Sequence, residues 1–303
     1  MKIKRKIVIG SRASPLAKVQ SKLVYNIFKS LFIDLELNFI KTKGDKLSYE
    51  VFKSQGGKGL FTKEIDKLIL NNILDIAVHS SKDIPYLIDN NLTIAAYLPR
   101  EDVRDVLVTV DKRIKKIDQL PSKFILGTSS PRRTSFIQHL RPDIRTIPIR
   151  GNVNTRINQV LSGKVDAIIL SNAGIKRLKI KNDKINISPI PIKTVLPAAG
   201  QGAIAIVCRK SDKELIKICK KIGDKKTKLE LTAERAFIKR IKGDCFTPLS
   251  ALAKIKNDKI IIKASIFDRK SNTFKKTEIK CPKSESKKAG IECADRLINM
   301  MRK

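Results

Sequence analysis

Along this chain, short runs of apolar residues alternate with longer stretches in which apolar positions recur every three or four residues. The run "KIVIG" suits a buried strand, and "SPLAKVQSKLVYNIFKSL" after it has helical spacing. Ser14 stands at the cap of that helix and Pro15 at its first position, and Leu16, Val19, Leu23 and Ile27 form the expected apolar stripe. The strand "LELNFIKT" follows, then a polar, glycine-bearing stretch from Lys43 to Gly59 that reads as a long mobile loop. The helix "FTKEIDKLILNN" and the strand "DIAVHS" complete a βαβα pattern, which predicts a mostly parallel sheet covered by helices.

The pattern restarts after "LPREDVRDV". Strands "VLVTV" and "FILGTSS" lead into the helix "PRRTSFIQHL", then come strand "IRTIPI", a helix from about Asn152 to Leu161, and strand "AIILS". A second α/β unit is the economical reading. One more strand follows "LPAAGQGAIAIVC", whose glycines suit a hinge where units meet. Beyond Gly223 the chain changes style. A helix "KLELTAERAFIKRI", three alternating runs and a last helix from about Ser286 to Met300 predict a small α+β unit with an antiparallel sheet.

Composition narrows the possible chemistry. With 303 residues, 42% of them hydrophobic, the chain can build two or three real cores. No apolar run is long enough for a signal peptide's core or a membrane span, so a cytoplasmic location without a membrane partner is expected. Five widely spaced cysteines and only two histidines predict reduced thiols, no metal site and no Ser-His-Asp triad. A net charge of +35 suggests nucleic acid. Against that, the lysines are spread along the whole chain, and aromatic residues are 5% with no Trp, so stacking platforms are few.

The arginines are less diffuse than the lysines: six fall between residues 128 and 156. "GTSSPRR" puts small residues between a strand and a helix, where backbone N–H groups and the helix dipole favour an anion, and Arg132 and Arg133 begin that helix. "RGNVNTR" places Arg150 at the end of the next strand and Arg156 in the following helix, on the same carboxyl edge of the sheet. Arg12, after the first strand, adds a third such loop. Converging guanidiniums suit carboxylates or phosphates better than lysines do. No phosphate-binding glycine loop of nucleotide enzymes occurs in the right setting. In "VHSSKDIP", Asp83 follows a strand beside Lys82; alone it reads as a turn residue, and in a cationic cleft it could oppose positive charge forming on a substrate. Cys245 lies in a loop, "KGDCFTPLS", where a thiol is reachable.

Taken together, "SRASPLA", "GGKGLF", "DIAVHSSKDIP", "REDVRDVL", "GTSSPRR", "IRGNVNTR", "AGIKRL", "LPAAGQGA", "TAERAF" and "GDC" resemble, in content and order, the porphobilinogen deaminase (hydroxymethylbilane synthase) family, from Ile7 to the final helix. The resemblance implies two α/β domains like a type II periplasmic binding protein, joined by two crossing segments, plus a small α+β domain. The division expected is 1–98 with 200–218, 99–199, and 219–303, the strand "AIAIVC" returning to the first domain. It implies a dipyrromethane cofactor attached to Cys245 through a thioether. Porphobilinogen would lose ammonia, the azafulvene would be attacked by the free end of the pyrrole chain, and four units would be added before water releases hydroxymethylbilane.

Carried over by position, Asp83 is the catalytic carboxylate. Ser80, Lys82, Asp83, Thr128, Ser130, Arg132 and Arg133 look like ligands of the cofactor, and Arg12, Ser14, Gln20, Lys58, Arg150, Arg156 and Arg177 look like substrate contacts. A monomer without a nucleic-acid partner is the corresponding expectation. The sequence departs from many relatives at Ser54, where lysine is usual, and at Asp244, where glycine is usual. Two readings from other classes compete: a nucleic-acid-binding protein, and a non-catalytic receptor for an anion, which would give Cys245 no reason to be modified.

Overall fold

The structure is a computed structural model that describes residues 5–31, 34–42, 59, 61–243 and 247–302. Its first five-stranded sheet has the order β2-β1-β3-β10-β4, from β1 (Ile7–Arg12), β2 (Leu35–Ile40), β3 (Ile76–Ser80), β4 (Leu92–Tyr97) and β10 (Ile204–Arg209). The second has the order β7-β6-β8-β5-β9, from β5 (Asp105–Thr109), β6 (Ile125–Gly127), β7 (Arg145–Ile147), β8 (Ala167–Ser171) and β9 (Asn186–Pro189). A third sheet, β11 (Leu249–Lys256), β12 (Lys259–Asp268) and β13 (Thr273–Pro282), is antiparallel throughout.

The two larger sheets are mixed, which corrects the expectation of mostly parallel pairing. In the first, β1 runs parallel to β2 and β3, but β10 is antiparallel to β3 and β4. In the second, β6 runs parallel to β7 and β8, while β5 is antiparallel to β8 and β9. Helical crossovers impose parallel pairing only on strands joined within one βαβ unit. Strand β10 instead arrives from the second unit and enters the first sheet between β3 and β4, starting at the carboxyl end of β3.

Helix α1 (Pro15–Lys29) starts where the sequence places it, with Ser14 Oγ accepting from Ala17 N. Its buried stripe is different: Ala17, Gln20, Ser21, Val24 and Phe28 face the sheet, whereas Leu23 is exposed. Val24 and Phe28 share one core cluster with Ile7, Ile9 and Ile76 of the sheet and with Leu215 and Ile218 of α6 (Lys213–Ile222). Full burial of such side chains contributes roughly 1.5–3 kcal/mol each, so the face meeting most of the sheet decides the helix's rotation. Leu16 turns instead toward Gly174 of the second unit. In the third unit, α7 (Lys225–Ile241) and α8 (Ser286–Arg302) pack closely; a Cβ on Gly290 would stand 2.1 Å from the Ala233 carbonyl oxygen.

One buried carboxylate ties the three units together. Glu234 of α7 is fully buried and pairs in a fork with Arg100, at 2.7 and 3.0 Å. It also accepts from Gly200 N (2.7 Å) and Ala253 N (2.8 Å), and Arg100 Nε donates to the Gln201 carbonyl. Removing one partner of such a pair leaves the other charge buried and unpaired, so Glu234→Ala is expected to lower stability by about 3–5 kcal/mol in urea unfolding; a loss below about 1 kcal/mol, the range of exposed pairs, would contradict this.

His79 supplies a pH dependence. It is buried in β3, its Nε2 has no hydrogen-bond partner among the described residues, and burial lowers its imidazole to about 4 from 6.5. Between those values the unfolded chain takes up a proton that the native state refuses. Its stability is therefore intact above pH 6.5 and declines as pH falls toward 4, by up to about 3 kcal/mol. Urea midpoints measured across that window should fall for the wild type and less for His79→Leu; parallel curves would place the acid sensitivity elsewhere.

Candidate active site

A cavity of about 950 Å³ opens between the first two sheets and extends to the third unit. Three short connections after strands build its charged part. The turn Ser81–Asp83 follows β3 and presents Lys82 and Asp83. Ser129 and Ser130 precede α3 (Pro131–Leu140), whose first turn carries Arg132 and Arg133. Arg150 lies beyond β7, and Arg156 sits on α4 (Val153–Leu161), which Asn152 caps by accepting from Thr155 N. Because β6 and β7 are parallel, both arginine loops lie on one edge, as their sequence positions imply.

The cations crowd one another. Lys82 lines the cleft with part of its surface exposed, and desolvation by the surrounding protein, followed by Arg133, lowers its ammonium to about 8; its Nζ donates to Gln201 Oε1 at 3.4 Å. Arg156 is brought down to about 10 by desolvation, with Arg133 and Arg150 adding to it. Asp83 lines the cavity among these cations, and Arg12, from the end of β1, approaches it at 3.9 Å while stacking over the Phe61 ring at 4.1 Å. A cleft so biased toward positive charge suits a ligand bearing several carboxylates.

The remaining candidates stand behind this wall. Gln20 and Ser80 hydrogen-bond each other (2.9 Å), and Thr128 is buried with its hydroxyl accepting from Ser130 N (3.2 Å). Ser14 caps α1. Arg177, on the helix α5 (Asn172–Arg177), donates to the Gly202 carbonyl (2.7 Å), so it grips the segment entering β10 and is not on the cavity wall. Lys58 and Cys245, with Ser54 and Asp244 and most of the Lys43–Gly59 loop, lie outside the described residues. Gly243 and Thr247, which flank Cys245 in sequence, both line the cavity.

Sequence reasoning missed the supports of this site. Asp105 is fully buried and pairs with Arg132 and Arg133, each at 2.7 Å. The two guanidiniums hold its carboxyl far below the usual range, outweighing the opposite push from burial. Arg132 also donates to the Leu196 carbonyl and Arg133 to that of Ile169, so their terminal nitrogens are partly used for position. Their Nε atoms are buried without a hydrogen-bond partner among the described residues. Gln201 donates to Asp105 (3.0 Å) and to the Val103 carbonyl (2.7 Å), joining the arginine pair to Lys82. Gly200 lies against the turn: at φ +76°, a Cβ there would meet Lys82 N and Ser81 C at 2.9 Å. The motifs "REDVRDVL" and "LPAAGQGA" held these residues in view, but nothing local says which guanidinium a distant aspartate pairs.

A family profile described as porphobilinogen deaminase, dipyromethane cofactor binding domain, matches residues 7–217, and one described as porphobilinogen deaminase, C-terminal domain, matches residues 228–299. A curated relative named porphobilinogen deaminase from a Nitratiruptor species is 38% identical, over 97% of this chain and 94% of its own. One of the same name from Rickettsia bellii is 41% identical, over 95% of this chain and 96% of its own. Among solved structures, substrate binding domain 2 of Lactococcus lactis GlnP aligns with a TM-score of 0.44 at 14% identity, over 72% of this chain and 88% of that one.

Proposed function

The chain belongs to the porphobilinogen deaminase family, and we propose that its cationic cleft is where porphobilinogen is polymerised into hydroxymethylbilane, with Asp83 as the catalytic carboxylate. The observation that carries the assignment is the single cavity wall shared by Asp83, Lys82, Arg132, Arg133, Arg150 and Arg156 with the two residues that flank Cys245.

The family's dipyrromethane cofactor fits this wall on physical grounds. Each of its rings bears an acetate and a propionate, and the buried Nε atoms of Arg132 and Arg133, which have no hydrogen-bond partner among the described residues, are donors suited to such acceptors. Lys82, Thr128, Ser130, Arg132 and Arg133, with Ser80 behind Lys82, would hold it, and Cys245 would attach it by a thioether. When bound, it supplies the pyrrole carbon on which the chain is extended.

The protein's own part is binding, orientation and electrostatics. Arg150 and Arg156 hold substrate carboxylates from the second unit and Arg12 from the first, with Lys58 as a further substrate contact; Ser14 and Gln20 support the first-unit side. Arg177 acts through the crossing segment it grips. Loss of ammonia from porphobilinogen leaves positive charge on the pyrrole, and Asp83 opposes that charge while accepting from pyrrole N–H groups. Without a fixed carboxylate, this cluster of cations would repel such an intermediate.

The same reading divides the chain into 1–98 with 200–218, 99–199 and 219–303, a division supported by the pairing of β10 with β3 and β4. It takes the protein as a cytoplasmic monomer whose partner is its small-molecule substrate, not nucleic acid or a membrane; among the described residues no helix is long and apolar enough to cross one. The test is the intact mass of the denatured protein before and after incubation with porphobilinogen. A covalent increment of two substrate units less ammonia, with hydroxymethylbilane released into solution, is expected; bare polypeptide mass in both samples and no product would overturn the proposal.

A further inference from the structure

Arg235 stands next to Glu234 on α7, in the third unit, and its guanidinium crosses to the first unit. There Nη2 donates to the Pro85 carbonyl at 2.9 Å and to that of Tyr86 at 3.5 Å, and Nη1 to that of Ile84 at 3.5 Å. Those three carbonyls follow Asp83 directly in the chain. Burial lowers the guanidinium from its ordinary value, and its hydrogen bonds among the described residues go to these main-chain oxygens. A desolvated guanidinium committed to three successive carbonyls is costly, and what it provides in return is the fixed position of that backbone.

The other end of the turn is held by a second set of contacts. Ser81 N donates to the Ala203 carbonyl (2.9 Å), and Gly200, itself bound by Glu234, abuts Ser81 and Lys82. Asp83 thus sits between two grips, both reaching back to neighbouring residues of one helix. That helix leads on to Gly243 on the cavity wall, eight positions past Arg235, just beyond the helix end at Ile241. At about 1.5 Å per residue this is roughly two turns, so one helix relates the Asp83 turn to Gly243, which stands two positions before Cys245 in sequence.

We propose that Arg235 is a positioning residue for Asp83, fixing the carboxylate relative to the third-unit helix α7 through the carbonyls of Ile84, Pro85 and Tyr86. The proposal rests on the assignment of Asp83 as the catalytic carboxylate. Because Arg235 also borders the cavity, the alternative outcome is a direct contact with a substrate carboxylate.

The experiment compares Arg235→Leu, Arg235→Lys, Asp83→Asn and the double variant Asp83→Asn/Arg235→Leu, each checked for its pyrrole adduct by intact mass and for its Tm. Misplacing a reacting group by about 1 Å can cost about 10²-fold, so Arg235→Leu is expected to lose about 10- to 100-fold in kcat with KM within about twofold. Arg235→Lys, keeping the charge but not the fork, recovers only part of it, and the double variant is no slower than Asp83→Asn alone. A rise in KM at unchanged kcat, restored by lysine, overturns the proposal in favour of substrate contact. Full additivity of the two losses overturns it in favour of a general structural role. If Asp83→Asn itself keeps its kcat, the Asp83 assignment fails first. Should Arg235→Leu not fold, Arg235→Lys and its double variant with Asp83→Asn carry the same comparison.

Discussion

Asp83→Asn is expected to lower the rate of hydroxymethylbilane formation by at least about 10²–10³-fold, the range seen when one fixed electrostatic partner of a transition state is removed. The amide keeps the shape and one acceptor oxygen but not the charge. Around it the cleft remains crowded with cations: Arg12 at 3.9 Å, Lys82 next in sequence, and Arg132, Arg133, Arg150 and Arg156 on the facing wall. Burial first, and that crowding after it, already lower the pKa of Lys82 and of Arg156. The same field would act against a cationic pyrrole, so losing the carboxylate removes an attraction and leaves a repulsion unopposed. Single arginine replacements at Arg150 or Arg156 should act mainly on KM, because neighbouring guanidiniums share the anion. Steady-state kinetics decide the point; an Asp83→Asn variant within tenfold of the wild-type kcat would remove Asp83 from the chemistry.

Cys245→Ser is expected to yield a folded protein without bound pyrroles and without activity. A hydroxyl is a far weaker nucleophile than a thiol at neutral pH, so no ether replaces the thioether. The other cysteines offer no substitute. Cys208, Cys219 and Cys293 are buried, and burial pushes Cys208 and Cys293 up to about 12 and Cys219 upward as well. Cys281 is partly exposed on β13 and is not on the cavity wall. Intact mass after incubation with porphobilinogen distinguishes the outcomes: an adduct that persists on the serine variant would place the attachment elsewhere, whereas its absence from the variant alone fixes it at Cys245.

Much of this was present in the order of residues. Pro15 and Pro131 marked the first turns of their helices, Asn152 the approximate start of another, and the alternating runs from Leu249 onward an antiparallel sheet, because these signals act over one or two turns of chain. The arginine loops were legible for the same reason: parallel strands followed by helices bring their ends to one edge. The strands Leu92–Tyr97 and Asn186–Pro189 and the helices Asn172–Arg177 and Lys213–Ile222 gave no signal strong enough to be read.

Tertiary structure alone decided the pairings. Asp105 meets Arg132 and Arg133, Glu234 meets Arg100, and Arg235 reaches the backbone behind Asp83 across 150 positions of sequence. It also decided that α1 buries Val24 and Phe28 and leaves Leu23 exposed, and that β10 enters its sheet antiparallel. Periodicity records which residues share a face of one element, but not which neighbour that face will meet. A buried charge is stable only against a partner supplied by another part of the chain, and that partner exists only once the units have packed.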